Sequence, residues 1–125
     1  MKIQLKTIPH SSQRYETVGD WEIDKDGSIR ISVSDMKNED YAFLVGIHEA
    51  VEVWLCRKRG ITQGSVDEFD ILYEQNRPEG DLSEPGDSPW APYQKEHQFA
   101  TKIERQLAEE LGINWDEYNS AVEGL

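Results

Sequence analysis

The sequence predicts an α+β fold: a small antiparallel sheet, made of an N-terminal strand plus a β-hairpin, packed on three to four helices. Three observations carry this expectation. Apolar residues recur with a period of two up to about residue 35 and with a period near 3.6 from about residue 38. The turn residues Asp24-Lys25-Asp26-Gly27 stand between two alternating runs. Finally, 125 residues that include four Trp, five Tyr and three Phe suffice for one hydrophobic core. The expected organisation is a single domain over 1–125, mainly β over 1–35 and mainly α over 38–125, with a proline-rich loop at 77–92.

Lys2 to Ile8 alternates, with Ile3, Leu5 and Thr7 on one side, and Pro9 ends the strand. A second strand is expected around Tyr15 to Ile23, and after the Gly27 turn Ile29, Ile31 and Val33 alternate with Arg30 and Ser32. Helix one is predicted over 39–59, its apolar stripe Leu44, Ile47, Val51, Trp54 and Leu55, with Gly60 placed as its C-cap. Ser65 with Glu68 forms a capping box for helix two, which runs to about Asn76. Residues 77–92 hold four of the five prolines, two glycines and four acids, so neither a helix nor a central strand fits there. Helix three starts near Pro92, turns Ala100, Ile103, Leu107 and Leu111 to the core, and ends at Gly112. Asn114 and Glu117 open a short final helix.

Composition narrows the function. The net charge is -12, and it is uneven: residues 1–60 hold nine Lys/Arg against ten Asp/Glu, residues 61–125 four against fifteen. That field repels phosphate backbones, so direct nucleic-acid binding is not expected. A single cysteine, Cys56, rules out an internal disulfide or a cysteine-based zinc knuckle, fits a cytoplasmic location, and reads as a small core filler. No stretch approaches the roughly 18 apolar residues of a membrane span, so no membrane association is expected. No glycine-rich phosphate cradle and no serine nucleophile elbow occurs.

The strongest chemical signal is His48-Glu49-Ala50-Val51-Glu52 in helix one. His48 and Glu52, at i and i+4, project side by side on the flank of the stripe, about 40° apart, and both can reach one ion. In helix two Asp67, Asp70 and Glu74 share a face; in helix three His97, Thr101 and Glu104 do the same. If these faces converge, His48, Glu52, Asp70 and His97 form a mixed nitrogen and oxygen ligand set for a divalent ion: zinc, manganese or magnesium. Asp67, Glu74 and Glu104 are secondary candidates. Each residue also has a plainer role. A histidine beside an apolar stripe serves as a hydrogen-bonded packing residue, acids in a first turn favour the helix dipole, and Glu84, Asp87, Trp90 and Tyr93 suit a packed strap as well as a lid or a partner-binding segment.

The His48–Glu52 segment resembles the zincin metallopeptidase helix, His-Glu-x-x-His, with Glu52 in the place of the second histidine. That resemblance implies His48 as a metal ligand and Glu49 as the catalytic base of a metal-dependent hydrolase acting on a peptide or small molecule. The pair Glu49-x-x-Glu52, followed after 14 residues by Asp67-x-x-Asp70, resembles the carboxylate layout of the all-α MazG-type nucleotide pyrophosphatases, which implies magnesium and a nucleoside triphosphate. The chain as a whole looks like small bacteriophage proteins with a similar His-Glu-x-x-Glu helix, an Asp-x-Phe-Asp helix at Asp67 to Asp70 and a Glu-His-x-Phe-Ala-Thr helix at Glu96 to Thr101. Phage origin implies the host cytoplasm and adds a non-enzymatic alternative, an acidic inhibitor or nucleic-acid mimic that binds a basic host protein.

Overall fold

The computed structural model describes residues 1–125 and is α+β. Strands β1 (Ile3–Ile8), β2 (Gly19–Ile23) and β3 (Ile29–Ser34) precede four helices, α1 (Glu39–Lys58), α2 (Gln63–Gln75), α3 (Gln94–Glu110) and α4 (Trp115–Glu123). No helix is long and apolar enough to cross a membrane.

The expected hairpin forms. β2 and β3 are antiparallel, Trp21 opposite Ile31, and Gly27 takes the positive φ of +85° that the turn demands. The sheet as a whole is mixed, not antiparallel throughout, because β1 lies beside β3 in parallel, Leu5 opposite Ile31. No tight turn ties β1 to β2. The chain from Pro9 to Val18 instead leaves the sheet, makes a 3-10 turn at His10–Ser12 and returns, which frees β1 to take the open side of β3. β2 is accordingly shorter than the span around Tyr15 to Ile23. Arg14 is drawn into ion pairs with Asp20 and Asp67, and the Tyr15 hydroxyl into a bond to Asp70.

Ile29, Ile31 and Val33 bury completely against α1, and β1 stays at the exposed edge. α1 begins where Asn38 caps the Tyr41 N–H, and Gly60 beyond its end adopts a φ of +73°. Its buried side is Ala42, Leu44, Val45, His48, Glu52, Val53 and Cys56. The expected stripe is therefore displaced: Leu44 is core, but Trp54 is 41% exposed. The displacement has a simple cause, since apolar residues occur around most of this helix and α1 is covered by the sheet on one side and α3 on another. Cys56 fills core space as expected. α2 starts one turn early, capped by Thr62 and not by Ser65. α3 buries Ala100 and Ala108 while Leu111 stays 41% exposed. The Asn114 cap of α4 forms as expected. Between α2 and α3 the proline-rich strap folds over α3 through a second 3-10 turn, Pro85–Asp87.

Candidate metal centre

His48 and Glu52 are 6% and 4% exposed, so they sit inside the molecule and not on the rim that the predicted stripe implied. α1 presents them one turn apart, and α3, packed against α1, supplies His97 from the facing side. Three atoms converge. His48 Nε2 lies 3.2 Å from Glu52 Oε2 and 3.1 Å from His97 Nδ1, and His97 Nδ1 lies 3.0 Å from Glu52 Oε2. Donors held about 2.0–2.2 Å from one cation are separated by distances of this order. The three residues form a buried group able to hold a metal ion.

The opposite end of each side chain is engaged by a different element. His48 Nδ1 is 2.7 Å from Glu104 Oε1, and the other oxygen of Glu104 accepts from the Tyr118 hydroxyl at 2.5 Å. A carboxylate only accepts, so Nδ1 carries a proton, and Nε2 is the ring nitrogen that faces the centre. Trp21 Nε1 donates to Glu52 Oε1 at 3.0 Å, leaving Oε2 for the centre. His97 Nε2 lies 2.8 Å from Glu84 Oε2 and 3.4 Å from Asp87 Oδ1, enclosed and charge-paired though aligned with neither as a hydrogen bond. Gly86 makes this approach possible, because a Cβ there would overlap the His97 ring.

The electrostatics favour positive charge at the centre. Burial pulls the imidazoliums down, yet the carboxylates of Glu104 and Glu52 raise His48 to about 10. Likewise Asp87, Glu52 and Glu84 outweigh burial and raise His97 to about 12. Burial pushes Glu52 up, but its bonds to both histidines bring it down to about 2. In the metal-free chain, protons on the two rings thus occupy the place a cation would take.

A cavity of about 530 Å³ opens over the three donors. Glu49 lines it beside Gly19, its Oε1 only 2.7 Å from where a Cβ would stand on that residue. Burial, followed by the charge of Glu52, holds the Glu49 carboxyl well above its ordinary range.

The remaining candidates lie elsewhere. Asp70 is not with the triad: its carboxylate accepts from the Tyr15 and Tyr93 hydroxyls, and burial raises it to about 7 despite those bonds. Asp67 faces Arg14, and Glu74 pairs with Arg77. Glu104 belongs to the centre as the partner of His48, not as a ligand. Of the four acids Glu49, Glu52, Asp67 and Asp70, the last two are thus engaged by Arg14 and by the two tyrosines. Trp21, Tyr118, Glu84 and Asp87 are the site residues the spacing did not single out for this role.

No protein-family model, curated protein or solved structure matches the chain.

Proposed function

We propose that this protein is a metal-dependent hydrolase whose divalent ion is held by His48 Nε2, Glu52 Oε2 and His97 Nδ1, with Glu49 as the catalytic base. The observation that supports it best is the double engagement of each ligand. The inward atoms meet within 3.0–3.2 Å, while the outward atoms are taken by Glu104, by Trp21 and by the Glu84–Asp87 strap. Outer partners of this kind fix the tautomer and aim of metal ligands. Two histidines and one glutamate are a donor set of catalytic zinc, and they also accept manganese.

Such an ion supplies Lewis acidity and a water of lowered pKa. The chain does the rest. Glu49, its affinity for a proton increased by burial, takes one from the attacking water and returns it to the leaving group, which calls for a carboxyl that titrates closer to neutrality than an exposed one. Tyr15 and Tyr93 line the same cavity and stay neutral, since burial raises both phenols, so they serve as orienting groups tied to Asp70. The walls carry Asp81, Glu84, Asp87 and Glu123 against a single arginine, Arg77. A polyphosphate entering that field would be repelled, which favours a peptide or amide that is neutral or cationic over a nucleoside triphosphate.

Assay of the metal-loaded chain against neutral, basic and acidic peptide libraries tests the reading. Glu49→Gln is expected to keep the metal and lose about 10²–10⁴ in turnover. Hydrolysis undiminished in that variant, or no hydrolysis of any amide by the loaded wild type, counts against it. In the latter case, salt-sensitive binding to a basic protein would favour the acidic-inhibitor alternative.

A further inference from the structure

β1 is an edge strand whose outer side is open. The Lys2 and Ile8 carbonyls accept from Ile29 and Asp35 of the β3 side. By the alternation of a strand, Ile3, Leu5 and Thr7 therefore turn their N–H and C=O groups outward. These are also the residues in register with the buried Ile29, Ile31 and Val33, so their side chains point toward the α1 face of the sheet. Yet Ile3 is 43% exposed, Leu5 39%, and Trp54 on the neighbouring flank of α1 41%. A wholly apolar groove of about 400 Å³ runs between them, lined by Met1, Ile3, Ala50, Val51, Trp54 and Leu55. Edge strands of monomers are ordinarily short, charged or covered. This one has six residues, and its single lysine, Lys6, alternates with the apolar set and so lies on the other face of the sheet.

The charges at the two ends of this surface identify its occupant. α1 runs antiparallel to β1, because the chain enters the helix just beyond Ser34, the residue opposite Ile8. One end of the face carries Arg57 and Lys58; the other carries Asp35, Glu39 and Asp40, which outnumber Lys37. A two-fold axis at the middle of β1 lays the basic end of one copy against the acidic end of the next. The rest of the surface opposes self-association, since residues 61–125 hold fifteen acids against four basic side chains. We infer that two copies of this chain pair β1 to β1 in antiparallel, merging their sheets into one of six strands and closing the two apolar grooves against each other.

Sedimentation of the full chain over a range of concentrations tests this directly, combined with hydrogen exchange read residue by residue. The expected result is a reversible dimer of twice 14.4 kDa, with the Ile3, Leu5 and Thr7 amides gaining protection as it forms. Leu5→Pro removes one outward N–H and leaves the ladder to β3 intact, so it should give a folded monomer by circular dichroism. Should that variant misfold, Trp54→Glu asks the same question from the helix side. Lys58→Glu and Asp40→Lys should each weaken association about threefold to tenfold, and an equimolar mixture of the two should recover it. A monomer at every concentration overturns the inference. So does a dimer that survives both Leu5→Pro and Trp54→Glu, or one that leaves the β1 amides unprotected.

Discussion

The division of labour within each proposed ligand sets what a substitution is expected to do. Glu104 touches only the far side of the His48 ring, so Glu104→Gln leaves all three donor atoms in place. It removes the charge that stabilises the Nδ1 proton, and metal affinity is expected to fall about 10–100-fold. Titration with zinc or cobalt reads this out, and an unchanged dissociation constant would deny Glu104 its orienting part. Tyr118→Phe, one step further out, should show a smaller loss of the same kind. Asp70 behaves differently because it is buried without a cationic partner. Its folded value, about 7, lies above the ordinary carboxylate value near 4. A raised value means that the folded state holds the proton more tightly than the unfolded one. Its contribution to stability is therefore full below about pH 4 and is lost as pH rises toward 7. Asp70→Asn should abolish that decline, gaining on the order of 2–4 kcal/mol relative to wild type between pH 4 and pH 7 in denaturant unfolding. Parallel pH profiles for the two proteins would contradict it.

Among the elements, the strap over α3 is the most exposed to a small change. Gly86 lies against the His97 ring, and a methyl group there has no room unless the ring or the strap moves. Gly86→Ala should cost about 1–3 kcal/mol and weaken metal binding by withdrawing Glu84 and Asp87 from Nε2. A thermal melt with and without zinc separates the two effects, and a variant that matches wild type in both would show that the strap does not position His97. What the sequence revealed follows the range of each interaction. The Gly27 turn, the Asn114 cap and the pairing of His48 with Glu52 are local and were legible from spacing. His97 was found through the polar face it shares with Glu104. The partners that aim the ligands come from distant chain segments: Trp21 is 31 residues from Glu52, and Glu104 is 56 from His48. No periodicity encodes such meetings. The parallel course of β1 was hidden for a related reason, because a strand joined through a long excursion has no turn to dictate its partner. The stripe on α1 misplaced Trp54 since a helix apolar on most sides does not announce which side is deepest.

For the whole molecule, the notable quantity is buried charge. Seven of the 25 buried residues are ionisable acids or histidines: Asp20, His48, Glu52, Asp70, Glu96, His97 and Glu104. Two of them are neutralised by arginine, Asp20 by Arg14 and Glu96 by Arg59. The other five surround one cavity. In a chain of this size such a cluster opposes folding unless it is compensated, since desolvating charges costs several kcal/mol per ion. Protons on His48 and His97 offset part of that cost; on the proposed reading a bound cation takes their place, and a ligand present at 100 times its dissociation constant adds about 2.7 kcal/mol of stability. The protein is accordingly expected to melt higher with zinc or manganese and lower after chelation. The most direct test is elemental analysis of purified, untagged protein exchanged with zinc and then freed of excess, comparing wild type with His48→Ala and His97→Ala. One tightly held ion per chain, lost in both variants while Asp70→Asn retains it, is the predicted result. A wild type that retains no stoichiometric ion and shows no shift in its melt with zinc, manganese or cobalt would contradict the metal centre and the hydrolase built on it.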